Sequence, residues 1–287
     1  MKILITGANG MLAKAVRGRF KENELILTDV EELDITDFSQ VEKFVEENKP
    51  EVIINCAAYT AVDKAETDIT LARKINIEGP KNLAIVAKKS NCKLVHISTD
   101  YVFGGNLPLE EFYKEDDKKE PNTVYGITKL KGEEAITENM DNYYIFRTAW
   151  LYGEGNNFVR TMLRFGKEKE KLEAVEERFV SVVCDQHGSP TYAVDLADII
   201  YQALEKEIPY GIYHATNLGY TTWYDFCKEI YKIANVSCKI LPVTTEEFPR
   251  PARRPLNSML SKEKILDAGI NIPSWQDGLE RYLKNEL

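Results

Sequence analysis

The chain has 287 residues, of which 44% are hydrophobic and 29% charged, and its formal net charge is −9. These values are typical of a globular protein with one large domain or two unequal ones. The acidic balance and the lack of a basic cluster argue against a surface for nucleic acid or for an acidic membrane. No apolar run approaches the roughly 20 residues that span a bilayer, and the chain enters a strand pattern at once. We therefore expect a cytoplasmic protein without a signal peptide.

A strand, a glycine loop and a helix follow one another at the N-terminus. Residues 2–6 are a short apolar run that glycine ends, and a helical pattern runs from 11 to 20. Between them, Gly7, Gly10 and Ala13 form G-x-x-G-x-x-A, a variant of the dinucleotide fingerprint. The first glycine would permit the tight turn, the second the approach of a pyrophosphate, and the alanine close packing of helix on strand. The order of these elements predicts a dinucleotide site.

The second predicted strand, residues 25–29, ends in an acidic residue. Asp29 lies about twenty residues past the glycines, where a carboxylate accepts a hydrogen bond from the adenosine ribose and repels the 2′-phosphate of NADP. No arginine follows immediately, so the sequence favours NADH, while Lys14 and Arg17 on the first helix leave NADPH possible. The alternative interpretation of Asp29 is a solvated residue in a turn.

Strands and helices alternate through the first half of the chain. The further predicted strands are 52–55, 93–98 and 143–147, and the predicted helices are 38–48, 71–90 and 125–139. This alternation predicts an α/β fold with a Rossmann-type, doubly wound parallel sheet. After Trp150 the alternation weakens, which predicts a smaller C-terminal substrate-binding lobe. We expect an NAD(P)-binding Rossmann domain over 1–150, with a returning segment near 185–205 that includes a helix over 193–205, and the smaller lobe mainly over 151–287.

A tyrosine and a lysine mark the helix predicted over 125–139. Tyr125 and Lys129 are four residues apart, so they lie on one face of it, one turn from each other. A phenol has a pKa near ~10 and is a poor acid or base at neutral pH unless a cation favours its ionised form, which we expect Lys129 to do. Thr99, just after a predicted strand, would hydrogen-bond a carbonyl oxygen as it becomes an alkoxide. Together the three residues predict hydride-transfer chemistry, although Tyr-x-x-x-Lys alone also occurs on helices by chance.

The cysteines and histidines show no pattern of their own. The five cysteines are widely spaced without Cys-x-x-Cys, so we expect reduced thiols and neither disulfides nor metal ligands. His96, His187 and His214 are scattered along the chain, which favours structural roles.

Several further blocks of sequence carry a resemblance. They are residues 57–66, 98–103, 146–150, 155–158, 185–191 and 251–255. With the glycine loop and the Tyr-x-x-x-Lys pair, they make the chain resemble, over essentially its full length, the dTDP-4-dehydrorhamnose reductase family of extended short-chain dehydrogenases/reductases. The resemblance implies an NAD(P)H-dependent reduction of the C4 ketone of dTDP-4-dehydro-L-rhamnose to dTDP-L-rhamnose.

The resemblance also implies roles for single residues. The catalytic residues would be Thr99, Tyr125 and Lys129. The cofactor contacts would be Gly7, Gly10, Met11, Leu12, Asp29, Asp34, Ile35, Ala57, Ala58, Tyr59, Thr60, Tyr125 and Lys129. The substrate contacts would be Thr99, Asp100, Tyr101, Trp150 and Arg254, with Tyr101 against the sugar and Arg254 against the diphosphate.

At one point the chain departs from the family pattern. Some family members dimerise through magnesium that glutamates bind, one of them on the first helix. Here that helix carries Lys14 and Ala15, and Val194 stands near the position of a second glutamate. Because Mg²⁺ requires oxygen ligands, we predict no metal site and either a monomer or a metal-independent homodimer.

Two other functions remain open at this stage. A relative of this fold is the regulatory subunit of methionine adenosyltransferase, which binds nucleotide without catalysing a reduction; an intact Thr99, Tyr125 and Lys129 argue against it. A nucleotide-sugar epimerase or dehydratase would retain its cofactor. A dehydratase would also need a further acid beside Asp100, and the sequence shows none there.

Overall fold

The structure, a computed structural model, describes residues 1–286 and contains thirteen strands and eleven α-helices within them. The strands are β1 (Lys2–Thr6), β2 (Glu24–Thr28), β3 (Val52–Asn55), β4 (Lys93–Thr99), β5 (Tyr143–Thr148), β6 (Leu151–Tyr152), β7 (Phe179–Val183), β8 (His187–Gly188), β9 (Thr191–Tyr192), β10 (Gly211–His214), β11 (Thr221–Thr222), β12 (Lys239–Val243) and β13 (Asn257–Ser258). The helices are α1 (Met11–Arg19), α2 (Phe38–Asn48), α3 (Val62–Ala65), α4 (Ile69–Arg73), α5 (Gly79–Lys89), α6 (Val124–Asn139), α7 (Phe158–Glu170), α8 (Ala193–Glu205), α9 (Trp223–Ile233), α10 (Glu263–Asp267) and α11 (Trp275–Glu286).

Six strands form one sheet in the order β10-β5-β4-β3-β1-β2, and every pair in it is parallel. β2 lies on one side of β1 and β3 on the other, so the direction of the chain across the sheet reverses at β1. Ligands of such sheets bind beyond the carboxyl ends of the strands at this reversal. The predicted α/β fold with a doubly wound parallel sheet is confirmed.

Both faces of the sheet are covered, which explains its apolar strands. In β1, Ile3 and Ile5 belong to the apolar cluster on the face that α1 and α8 cover. Leu4, between them, belongs to the cluster on the opposite face, where α2 and α5 pack together. Alternation along a strand thus supplies two cores with apolar side chains from one continuous run.

Two elements of the sheet layer differ from the prediction. The helical stretch predicted over 71–90 is confirmed, but its middle is a π-helix, Lys74–Glu78, that joins α4 to α5. The wider turn brings Asn76 inward, where its side chain binds the backbone of Tyr59 on both sides and the hydroxyl of Thr128. β10, the sixth strand of the sheet, was not predicted, since its four residues follow the weak alternation after Trp150.

The chain after β5 builds a further apolar cluster from α7, α9 and α11 with the two small sheets β12-β7 and β6-β9. Tyr152, Phe226 and Leu279 are buried in this cluster. The predicted division into two domains remains a prediction, and Leu287, the end of the predicted lobe, lies outside the described residues. Over residues 1–286, none of the helices combines the length and the apolar character needed to cross a membrane.

Candidate active site

A cavity of about 590 Å³ opens at the carboxyl edge of the sheet. It brings together most of the residues that the sequence predicted as site residues. Those in its lining are Gly7, Gly10, Met11, Leu12, Asp29, Asp34, Ile35, Ala57, Ala58, Thr60, Thr99, Asp100, Tyr101, Tyr125, Lys129 and Trp150. Tyr59 and Arg254 are not in this lining: Tyr59 turns its hydroxyl to Asp68 at 2.9 Å, and Arg254 lies in a second cavity.

The glycine loop forms the floor of one end of the cavity. Gly7 has φ +63°, and a Cβ atom there would come within 2.8 Å of the Ala57 backbone, so only glycine fits. Gly10 is the N-cap of α1 and donates its N–H to Gly7 O at 3.0 Å. As Gly10 has no side chain, the first N–H groups of α1 stay accessible to a phosphate.

Two carboxylates lie along the side of the cavity that β2 leads into. Asp29 accepts the backbone N–H groups of Asn9 at 3.1 Å and of Val30 at 2.8 Å, which ties it to the glycine loop. Asp34 accepts from the Thr36 hydroxyl at 2.6 Å, and this hydrogen bond holds the pKa of Asp34 below its ordinary value. This end of the cavity is therefore acidic.

Thr99 ends β4 and begins a short 3-10 helix, Asp100–Val102. Its hydroxyl donates to Asp100 Oδ1 at 2.9 Å and accepts the N–H of Tyr101 at 3.2 Å. The other carboxylate oxygen of Asp100 accepts the Ser258 hydroxyl at 2.5 Å. Burial raises the pKa of Asp100 to about 6, although these hydrogen bonds oppose the shift.

Tyr125 stands in the first turn of α6, where the Thr123 side chain caps the helix by accepting Gly126 N–H at 3.0 Å. Its half-buried ring packs edge-on against Tyr101, with ring centroids 5.5 Å apart. Burial raises the pKa of Tyr125 to about 12, a hydrogen bond with Thr99 lowers it, and Asp100 raises it further. At neutral pH the phenol is protonated, which suits a proton donor.

Lys129 is fully buried on the same face of α6. Its Nζ atom donates to Ile97 O at 2.6 Å and lies 3.1 Å from His96 Nε2. Burial lowers the pKa of Lys129 to about 8, against the effect of Glu133. The expectation that Lys129 makes the Tyr125 phenol more acidic is wrong here, because burial of the phenol dominates and the lysine nitrogen is bound to β4.

A second cavity of about 820 Å³ adjoins the first, and Tyr101 and Trp150 line both. Trp150 has φ +49° and stacks on Trp223 at a ring-centroid distance of 3.7 Å. Gly188 makes room for this stack, since a Cβ atom there would lie 2.7 Å from the Trp150 ring. The aromatic pair gives the second cavity a flat apolar wall.

Arg254 lines the second cavity with its guanidinium bound to Asp63 Oδ1 at 2.8 Å. Burial opposes ionisation of Asp63, but hydrogen bonds from Arg254 and from Ala252 N–H outweigh it and hold the pKa of that carboxyl below its ordinary value. An arginine has five N–H donors, so the pair with Asp63 leaves donors for an anion.

Thr148 is a lining residue that was not predicted. It ends β5 and is paired in register with Thr99, and its side-chain oxygen is buried without a hydrogen-bond partner among the described residues. A buried hydroxyl without a partner costs free energy, so it fits a ligand that brings a polar group to this position. The signal that could have found it is its place at a strand end, level with Thr99.

The glycine floor, Asp29 and Thr148 together fit a dinucleotide lying across the strand ends.

A doubly wound parallel sheet, a glycine loop at its point of reversal and a Tyr–Lys pair beside a buried threonine define a short-chain type of nucleotide-dependent oxidoreductase. The family described as RmlD substrate binding domain matches residues 1–287. A dTDP-4-dehydrorhamnose reductase of Aggregatibacter actinomycetemcomitans is 40% identical over 301 residues, which cover 99% of this chain and 97% of that protein. The chain belongs to this family of dTDP-4-dehydrorhamnose reductases.

Solved structures support the same assignment. A dTDP-4-dehydrorhamnose reductase of Clostridium acetobutylicum superimposes with a TM-score of 0.93 at 45% identity, covering 100% of this chain and 99% of that one. The Bacillus anthracis enzyme of the same name, solved in complex with NADP, has a TM-score of 0.92 at 43% identity, with 99% and 100% of the two chains covered.

No group of three or more histidine, cysteine, aspartate or glutamate residues is arranged to hold a metal ion in the part of the chain that the structure describes. Lys14, on the helix where some family members carry a glutamate ligand, forms an ion pair with Glu154 at 2.6 Å. The absence of a metal site remains a prediction.

Proposed function

We propose that this protein reduces the C4 ketone of dTDP-4-dehydro-L-rhamnose to dTDP-L-rhamnose, with a nicotinamide dinucleotide as the reductant. The observation that carries the proposal is that Thr99, Tyr125 and Lys129 line the same cavity as the glycine loop, and the phenol of Tyr125 is protonated at neutral pH. When bound, the reduced nicotinamide supplies the hydride that adds to the C4 carbon.

Tyr125 would supply the proton for the new hydroxyl. Its raised pKa keeps the proton on the phenol until an alkoxide, which is more basic, develops beside it. Such general acid catalysis contributes about 10²–10⁴-fold. Lys129 would bind the ribose next to the nicotinamide and steady Tyr125.

Thr99 would donate a hydrogen bond to the substrate oxygen as negative charge develops. Its single hydroxyl proton is given to Asp100 in the structure, so Thr99 must exchange this partner for the ketone. Asp100 keeps the Ser258 hydroxyl on its other oxygen during the exchange. The loss of one such donor costs about 10²–10³ in kcat in other enzymes.

The remaining cavity residues would hold the cofactor. The first turn of α1 would bind the pyrophosphate, and Thr148 would bind the carboxamide of the nicotinamide, because it lies level with Thr99 at the far end from the glycine loop. We propose NADH as the preferred form, since Asp29 and the neighbouring Glu32 would repel a 2′-phosphate. Because the Bacillus anthracis enzyme was solved in complex with NADP, the preference for NADH has to be measured for this protein.

The second cavity would hold the nucleotide of the substrate. Tyr101 would contact the sugar, the Trp150–Trp223 wall would receive the flat base, and Arg254 would bind the diphosphate. In this proposal the cofactor domain is formed by residues 1–150 with the segment near 185–205, and the substrate lobe mainly by 151–287.

The test is oxidation of NADH or NADPH by the purified protein, supplied with dTDP-4-dehydrorhamnose made in situ by the upstream enzymes. Wild type should consume cofactor and form dTDP-rhamnose. Tyr125→Phe should lose most of kcat, by about 10²–10⁴-fold, and still bind dinucleotide. Tyr220→Phe, at an exposed tyrosine, is the matched control and should be as active as wild type.

Three outcomes would redirect the proposal. Near-normal turnover by Tyr125→Phe would remove Tyr125 from proton transfer. Dinucleotide binding without oxidation would favour the regulatory-subunit function or another keto sugar. NAD that copurifies and is not released would favour an epimerase or dehydratase.

A further inference from the structure

Three polar side chains stand in register across three neighbouring strands, at the carboxyl ends of β1 and β3. Thr6 of β1 is paired with Asn55 of β3, and Asn55 with His96 of β4, each at most 1% exposed. Thr6 Oγ1 donates to Asn55 Oδ1 at 2.7 Å, and Asn55 Nδ2 lies 3.0 Å from His96 Nδ1. The series ends at Lys129, whose Nζ lies 3.1 Å from His96 Nε2. A row of hydrogen bonds therefore connects the strand before the glycine loop to the predicted catalytic lysine.

The backbone determines which way the Asn55 amide points. Ala57 N–H donates to Asn55 Oδ1 at 3.1 Å, and a backbone N–H can only donate. Turning the amide over would set its NH₂ group against this N–H and leave a buried donor unpaired, at a cost of about 1–3 kcal/mol. Asn55 Nδ2 therefore faces His96 Nδ1 and must donate to it.

This donor decides where His96 carries its proton. Nδ1 accepts from Asn55 and so carries no hydrogen, which leaves the proton of a neutral imidazole on Nε2. The ring is neutral, since burial holds the pKa of His96 well below its ordinary value. We propose that Asn55 locks His96 in the Nε2–H tautomer, so that His96 presents a hydrogen-bond donor to the Lys129 amine.

The proposal has a consequence for the charge of Lys129. An ammonium group has three donors and no acceptor, so an N–H aimed at it is repulsive, whereas a neutral amine accepts that N–H with its lone pair. Ile97 O accepts a hydrogen from Lys129 at 2.6 Å in either form. His96 is thus a positioning residue that favours loss of the lysine proton, in the same direction as burial.

The other charged and titratable groups near Lys129 do not replace this contact. Glu133, one turn further along α6, raises the lysine pKa, but its carboxylate is bound by Arg147 of β5 at 2.7 Å and by the Ser98 hydroxyl of β4. Tyr125 and Asp100 line the same cavity from α6 and from the 3-10 helix. His96 is the side chain that faces the lysine nitrogen at hydrogen-bond distance.

His214 offers an internal comparison with the opposite arrangement. Its Nδ1 lies 3.2 Å from Ser261 O, which can only accept, and its Nε2 lies 3.5 Å from Arg147 Nη1, which can only donate. Its proton therefore belongs on Nδ1. Both rings are fully buried, so burial alone does not select a tautomer.

The experiment is a two-bond ¹H–¹⁵N correlation spectrum of the full chain labelled with ¹⁵N-histidine. The chain has three histidines, so His96→Gln and His187→Gln assign all the signals. We expect His96 to show the Nε2–H pattern and His214 the Nδ1–H pattern at neutral pH. An Nδ1–H or imidazolium pattern for His96 in the wild-type protein overturns the proposal, and this reading needs neither substrate nor cofactor.

Asn55→Asp tests the link to the lysine. One oxygen of the new carboxylate still accepts from Thr6 and from Ala57 N–H, while its second oxygen faces His96 Nδ1. Because that oxygen can only accept, the His96 proton should move to Nδ1. Nε2 should then become an acceptor for Lys129. This measurement rests on the proposed function. The pH at which the rate falls on the alkaline side of the pH–rate profile, its basic limb, should rise by about one pH unit. A shifted limb with an unchanged tautomer, or a changed tautomer with an unshifted limb, overturns the link. If no reductase activity is found, the spectra alone still decide the tautomer.

Discussion

Ser258 donates a 2.5 Å hydrogen bond to Asp100 across 158 positions of the chain. The other oxygen of Asp100 accepts from the Thr99 hydroxyl, which we predict to contact the substrate. The C-terminal part of the chain therefore holds the carboxylate that orients this hydroxyl. Asp100 is 3% exposed, and its burial raises its pKa to about 6. A carboxylate kept charged in such surroundings destabilises the fold that positions it.

Asp100→Asn should therefore stabilise the protein in a pH-dependent way. The pKa of Asp100 is higher in the folded chain than the ~3.9 of an unfolded chain, so its protonated form favours folding. That contribution is complete below about pH 4 and is lost as the pH rises through about 6. The free energy of unfolding of the variant should exceed that of wild type by up to about 3 kcal/mol at pH 8 and by little at pH 4.

Urea unfolding at both pH values measures this difference. Asp267→Asn, at an exposed aspartate, should change the free energy of unfolding by less than about 0.5 kcal/mol at either pH. Equal gains for Asp100→Asn at pH 4 and pH 8 would contradict the origin of the effect in the buried charge.

Asp29→Ala should shift the use of cofactor towards NADPH. The change removes the carboxylate at the end of β2 that would repel a 2′-phosphate, and the ratio of kcat/KM for NADPH over NADH should rise by about tenfold. Glu31→Ala, an exposed acidic neighbour, should leave the ratio within about twofold of wild type. An unchanged ratio in Asp29→Ala would mean that its carboxylate does not reach the ribose.

Thr148→Val should weaken cofactor binding while leaving the fold intact. Valine keeps the shape of threonine but lacks its unpaired hydroxyl, so the free energy of unfolding should stay equal or rise by about 1 kcal/mol. The loss of one hydrogen bond to the cofactor should raise its dissociation constant by about tenfold, as measured by nicotinamide fluorescence. Thr148→Ser keeps a hydroxyl and should bind cofactor as wild type does. If the valine variant binds equally well but unfolds more easily, Thr148 has a structural role.

Chelation should leave the protein unchanged. Lys14 is paired with Glu154 where a carboxylate ligand stands in some family members, and a cation next to an ammonium group is unfavourable. Activity and the mass in light scattering should be the same before and after EDTA. Dissociation of a dimer that Mg²⁺ restores would show a metal site made by residues that were not predicted.

The local sequence pattern was sufficient to predict those parts of the structure that depend on neighbouring residues in the chain. The glycine loop, the predicted helix over 38–48 and the four-residue spacing of Tyr125 and Lys129 each follow from the backbone freedom of glycine or from helical periodicity. The helical stretch predicted over 71–90 is confirmed, but periodicity shows only where apolar residues recur. It does not show that Asn76 lies in a π-helical turn, where it binds Tyr59 and Thr128.

The tertiary structure decided which residues meet and how their proton affinities change. Thr148 stands beside Thr99 because β4 and β5 pair in that register, and Arg254 lies in the second cavity because Asp63 binds it there. His96 reads as a structural histidine in sequence, yet it contacts Lys129 through the register of three strands. Register, burial and contacts between distant segments arise only when the whole chain closes around its cores. The chain by itself therefore specified the class of chemistry, whereas the folded protein set the protonation states of the groups that we predict to carry it out.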